Sequence, residues 1–161
     1  MRYYYVGIDP GKRCGWASLG PDGGYRSSGT WELDNRRGDG GGMRYVRFER
    51  LFSELFLSHP GPIVVGYELV RPYGSGDSMM SYYGITTRLM SFCDEHDIPY
   101  TGVPVHVIKS TATGKGNADK ESVRRAALER WPALERVARN GITYDEADAL
   151  WIAEAVRLGR A

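Results

Sequence analysis

The sequence predicts an α/β domain, a mixed sheet with helices on both faces. Three observations carry that reading. Apolar, β-forming runs open the chain and are joined by tight turns. Later apolar runs alternate with segments whose apolar residues recur at three-and-four spacing. The chain has 161 residues with 42% hydrophobic and 25% charged side chains, enough for one domain with a real core and no staples.

The elements follow in order. Tyr3 to Ile8 reads as a strand that ends at the turn Asp9-Pro10-Gly11. Cys14 to Leu19 and Tyr25 to Leu33 read as an antiparallel hairpin around Pro21-Asp22-Gly23-Gly24. The glycines Gly38 and Gly40 to Gly42 read as a loop before a helix over Met43 to Leu57, with arginines on its polar face. Ile63 to Tyr67 is a short strand with Glu68 at its end. Asp77 to His96 is a helix capped by Asp77, apolar on two sides. Its second side is covered either by its own domain or by a second subunit. Tyr100 to Val105 is the last strand. Lys109 to Asn117 reads as a polar loop with at most a helical turn. Helices follow over Ala118 to Trp131, with Asn117 as the cap, and over Asp145 to Leu158. There, Thr143 and Glu146 have capping-box spacing.

Charge and cysteine content exclude several classes. Lys+Arg number 21 against 20 Asp+Glu, a net charge of +1, so the chain is no simple polycation for nucleic acid. The charge is nevertheless patterned. Arginines cluster from Asp34 to Arg50, basic residues from Lys109 to Arg130, and only acids occur from Gly141 to Asp148. No apolar run approaches the ~18 residues of a membrane span. No basic region or cleavage site marks the N-terminus as a secretory signal, so a reduced compartment is expected. Cys93 and His96 share helical spacing but have no second pair to complete a zinc site.

Acids fall where packing alone does not call for them. Asp9 ends the first strand and Glu68 the fourth. Asp145 and Asp148, three apart, project from one face of the last helix. A turn residue, a strand-end charge and a helix-dipole partner are the plainer readings of the first three. Asp148 precedes Ala149, Leu150, Trp151 and Ile152, so it sits where the helix becomes buried and needs a partner. Four carboxylates in one cleft resist joint ionisation. Oxygen donors without soft ligands suit Mg²⁺ or Mn²⁺. Two such ions roughly 3.5–4 Å apart can drive in-line phosphodiester hydrolysis.

Four tracts occur in a fixed order: Gly7-Ile8-Asp9-Pro10-Gly11, Tyr67-Glu68-Leu69-Val70, the stretch from Lys109 to Lys120, and Asp145-Glu146-Ala147-Asp148-Ala149-Leu150. Together they resemble RuvC-type Holliday junction resolvases, in a phage-like variant, over nearly the whole chain. The resemblance implies a single ribonuclease-H-like domain over residues 1–161. Its sheet would have five strands, three antiparallel and two joined through helices. The resemblance also implies a homodimer that nicks opposed strands of a four-way DNA junction and leaves 5′-phosphate ends. Two Mg²⁺ or Mn²⁺ ions would be held by Asp9, Glu68, Asp145 and Asp148. Lys109 and Lys120 would approach the scissile phosphate, and Gly114 and Gly116 would let backbone come close to DNA. Lys12, Arg13, Arg71, Tyr73 and Lys115 complete the implied DNA-binding set. The implied location is the cytoplasm of a bacterial cell or phage-infected host.

The sequence departs from the family pattern in three places, one being that none of its three histidines lies near the last acid pair, where some members place one. The turn after Asp9 is one residue shorter than in many cellular members. Arg71 stands where some of them carry a wedging aromatic, and the nearest aromatic is Tyr73. The competing readings are a broader nuclease for flaps, forks and three-way DNA, and a non-catalytic junction-binding module. A nucleotide-binding ATPase rests only on Gly7-Ile8-Asp9, and this length is too short for the two lobes such proteins use.

Overall fold

The computed structural model describes residues 1–71, 76–137 and 141–161. Among these residues the centre is a five-stranded sheet in the order β3-β2-β1-β4-β5. The strands are β1 (Tyr4–Asp9), β2 (Arg13–Leu19), β3 (Tyr25–Glu32), β4 (Ile63–Leu69) and β5 (Tyr100–Pro104). The first three are antiparallel neighbours, while β4 runs parallel to β1 and β5 parallel to β4. The hairpin turn between β2 and β3 closes through Gly20 and Gly24, with Gly23 at a φ of 83° that a side chain would disfavour.

Helices among the described residues cover the two faces: α1 (Met43–Leu57), α2 (Gly76–Glu95), α3 (Val105–Thr113), α4 (Lys120–Arg130), α5 (Leu134–Val137) and α6 (Tyr144–Arg157). Strand alternation sorts the side chains between two cores. Val6, Ile8, Ile63 and Val65 pack with Phe48, Phe52, Ile85 and Leu89 of α1 and α2. Ala17, Leu19 and Val103 pack with α3, α4 and α6, where Trp131 and Trp151 meet at 4.8 Å between ring centroids.

The position of α6 follows from glycines. A Cβ on Gly7 would stand 1.9 Å from the Ala149 carbonyl oxygen, and one on Gly15 would stand 2.0 Å from that of Asp145. The helix therefore lies on bare backbone of β1 and β2, closer than any other residue allows. Its start is fixed by Thr143, whose hydroxyl accepts from the Glu146 amide at 3.0 Å.

Several expectations need correction. The polar tract from Lys109 is helical as far as Thr113, because Val107, Ile108 and Ala112 face the core and anchor a helix that begins at Val105. Asp119, rather than Asn117, caps α4 by accepting from the Ser122 amide at 2.7 Å. Asp77 lies inside the first turn of α2 and commits its carboxylate to Lys12 and Arg44. Glu146 does not close a capping box, since its carboxylate accepts from the Ser28 hydroxyl at 2.6 Å. Arg44 is buried rather than solvated and donates to Ser81.

Candidate active site

Strand register brings the first two acids together. Asp9 is the last residue of β1, and Ile8 is level with Tyr67 of β4, which places Glu68 beside Asp9. Alternation turns both carboxylates to the α6 face, opposite the side occupied by Ile8 and Tyr67. β4 continues through Leu69, so Glu68 is held within the paired strand rather than just past it. Across β1, Asp9 pairs with Gly15, and Gly15 lies against the backbone of Asp145. One helical turn later, Asp148 joins from the same face of α6.

The electrostatics report the gathering. Asp9 is only 8% exposed. Burial pushes its carboxyl well above the usual range, and Glu68, Asp148 and Asp145 push it further. Glu68 is the neighbour that raises it most. Burial likewise raises Asp148 to about 7, with Glu68 and Asp145 adding to the rise. Lys120 and Lys109 oppose it. Both lysines thus act on the acid cluster from α4 and α3.

This donor set fits hard divalent cations. It is all oxygen, it is confined, and it cannot ionise fully by itself. As the side chains stand, no three His, Cys, Asp or Glu groups among the described residues are drawn to the spacing of one ion's ligands.

The other predicted residues divide into groups. Gly114 ends α3 at a φ of 80°, and Lys115 and Gly116 follow as an exposed loop. Arg71 is exposed beyond β4 and shares a cavity wall with Glu68. Lys12 is ion-paired with Asp77, and the exposed Arg13 with Glu32 at 3.4 Å. Tyr73 lies outside the described residues.

Two flanks of the site escape a reading of the sequence. Arg124 and Tyr144 line a cavity of 340 Å³ with Arg13 and Asp145, and Glu121 accepts from the Arg124 guanidinium at 2.7 and 3.0 Å. Val105 and His106 line another with Glu68. The Arg124 charge is visible in the basic stretch, but its proximity to Asp145 depends on packing between α4 and α6. Nothing in the sequence marks Val105 or His106 as lying beside Glu68.

No protein-family model matches the chain, and no curated protein matches it in sequence. Solved structures do. RuvC of Thermus thermophilus in complex with a Holliday junction substrate superposes with a TM-score of 0.72, covering 99% of this chain and 98% of that one at 18% identity. A second Thermus thermophilus RuvC structure gives 0.74, covering 98% of each chain, also at 18% identity. The chain therefore has the ribonuclease-H-like fold in the arrangement found in RuvC, over nearly its whole length.

Proposed function

We propose that the chain is a divalent-metal-dependent endonuclease that resolves four-way DNA junctions by paired nicks in opposed strands. The observation that carries this reading is the convergence of Asp9, Glu68, Asp145 and Asp148, four acids that strand register and the close approach of the last helix bring together from three distant segments. The RuvC neighbour solved with a Holliday junction supports the choice of substrate. Asp9, Glu68, Asp145 and Asp148 are the ligands for Mg²⁺ or Mn²⁺, two ions per site. When bound, such ions supply an activated water and Lewis-acid stabilisation of the leaving oxygen.

The protein's own groups do the rest. Lys109 and Lys120 offset phosphate charge as the strand enters, so the acids do not repel it. The Gly114 to Gly116 loop removes side-chain bulk where the backbone of DNA comes close. Asp9 and Asp148 hold their protons more tightly than free carboxyls do, so loading a metal on them would release protons. Attack of water on phosphorus with cleavage of the P–O3′ bond leaves a 5′-phosphate and a 3′-hydroxyl, ends that can be religated.

A four-way junction is approximately two-fold symmetric, and a homodimer presents two equivalent sites to it. The outer side of α2 is the candidate interface, with Met80 and Tyr83 at 65% and 46% exposure. Among the described residues no helix is long and apolar enough to cross a membrane. The cytoplasm, where branched DNA arises, is the proposed location.

The test is nicking of a synthetic immobile junction with each strand labelled in turn, with Mg²⁺, with Mn²⁺ and with EDTA. Metal-dependent nicks at symmetric positions on opposed strands are expected. Equal cutting of linear duplex overturns the reading, and binding without cleavage at any metal concentration replaces it with a scaffolding role. Arg71 in place of an aromatic wedge favours one second reading, a nuclease that also accepts flaps and three-way DNA. Comparable rates on those substrates select it.

A further inference from the structure

A cavity of 620 Å³ opens beside Glu68 at the carboxyl ends of β4 and β5. The two parallel strands pair Leu69 with Pro104, and the chain then turns directly into α3 at Val105. That turn leaves a crevice beyond the strand ends, the place where open α/β sheets commonly bind ligands. Leu69, Val70, Pro104 and Val105 line it. Leu69 is 47% exposed and Val105 39%, so two aliphatic side chains meet solvent beside the acid cluster. Polar groups stand among them: Arg71 and His106. The glycine loop closes one side, since a Cβ on Gly116 would stand 3.4 Å from the His106 carbonyl oxygen.

The chemistry selects the occupant. A phosphate would have aliphatic walls and the Glu68 carboxylate against it, which disfavours an anion. A nucleobase has two apolar faces and a polar edge. It matches an apolar slot with a few hydrogen-bonding groups, and the volume lies within the ~300–1,000 Å³ typical of such sites. Bases at a branch point have already lost stacking neighbours, so extruding one costs less than in a duplex. Glu68 belongs both to the cavity wall and to the acid cluster. The base received here therefore belongs to a nucleotide next to the scissile phosphate.

We propose that this cavity takes an unpaired base flanking the cut, with Arg71 and His106 reading its edge, and thereby sets the sequence at which the strand is nicked. The inference rests on the nuclease reading above. The paired donors of Arg71 match the O6 and N7 acceptors of guanine.

The test uses junctions carrying each of the four bases, or an abasic residue, at the two nucleotides flanking the cut. Single-turnover nicking is measured for the wild type, Val105→Trp and His106→Ala. At one position the abasic residue should slow the wild type by about tenfold, on the scale of one lost base contact. Val105→Trp, which fills the slot, should slow the intact junction by a similar factor and leave the abasic junction no slower. His106→Ala should narrow the spread of rates among the four bases. As a readout without cleavage, 2-aminopurine at that position should brighten on binding the wild type in EDTA, and not on binding Val105→Trp. Independent, multiplying losses overturn the proposal, as do equal rates for all bases at both positions. If the wild type nicks no junction, the nuclease reading falls and this one falls with it. Normal nicking with base-independent rates removes this one alone.

Discussion

Asp148 holds a partly buried carboxyl among other acids, and its chemistry separates folding from function. It titrates at about 7 because burial and the neighbouring acids penalise its charge. The native state therefore keeps a proton that the unfolded chain has released, and metal-free stability falls as pH rises from about 4 through about 7. A tenfold change in proton affinity corresponds to ~1.4 kcal/mol, so the full loss is on the order of 2–4 kcal/mol after screening by the nearby lysines. Thermal melts in EDTA should show a midpoint several degrees lower at pH 8 than at pH 5.5. Mn²⁺ should raise the midpoint more at pH 8, because its ligands must be deprotonated. A flat pH response in EDTA would mean that the acids are not packed against one another. Asp148→Asn removes the charge and keeps the shape. It should cut nicking by about a thousandfold, the rate equivalent of ~4 kcal/mol of lost charge stabilisation. Junction binding measured in EDTA should persist, and the midpoint at pH 8 without metal should rise. Parallel loss of binding and nicking would assign Asp148 to folding instead.

The strands and helices place these side chains, and the contact between α6 and the sheet is the decisive one. Gly15→Ala puts a methyl group 2.0 Å from the Asp145 carbonyl oxygen, so α6 has to move or the strand has to bend. Overpacking of this kind costs ~1–3 kcal/mol and should lower the melting midpoint by several degrees. Nicking should fall far more than stability, because Asp145 and Asp148 both shift away from Asp9 and Glu68. A variant that melts early but nicks at full rate under permissive conditions would contradict that placement. Thr143→Ala should cost about 1 kcal/mol through the lost cap and the lost 2.8 Å contact with Thr30. The four acids and the antiparallel first three strands were legible because β1 ends in Asp9, β4 carries Glu68 near its end, tight turns join the first strands, and Asp145 and Asp148 keep helical spacing. The α3 helix was not legible. Its Val105, Val107 and Thr111 are poor helix formers that tertiary packing overrides. Nor was the fate of Lys12 and Arg13, because ion pairs with Asp77 and Glu32 join residues far apart in sequence.

In the proposed reading one protomer supplies one acid cluster, while paired nicks need two that act on the same DNA. The first strand opening relaxes a junction, so a second nick must follow before the substrate dissociates. A dimer satisfies that requirement through effective concentration rather than through any change in the chemistry. The inner side of α2 is occupied by Ile85, Leu89 and Phe92 packed against α1, which leaves Met80 and Tyr83 on the outer side. Met80→Glu with Tyr83→Glu should place two like charges at the centre of the proposed two-fold interface, opposite their own copies, which is strongly unfavourable. Sedimentation should then report a monomer with an unchanged melting profile for the protomer. On a supercoiled cruciform plasmid the wild type should produce linear DNA directly. The double variant should accumulate the singly nicked circle, because its two cuts become independent encounters. Linear product formed at the wild-type ratio by a proven monomer would remove the link between dimerisation and paired cleavage.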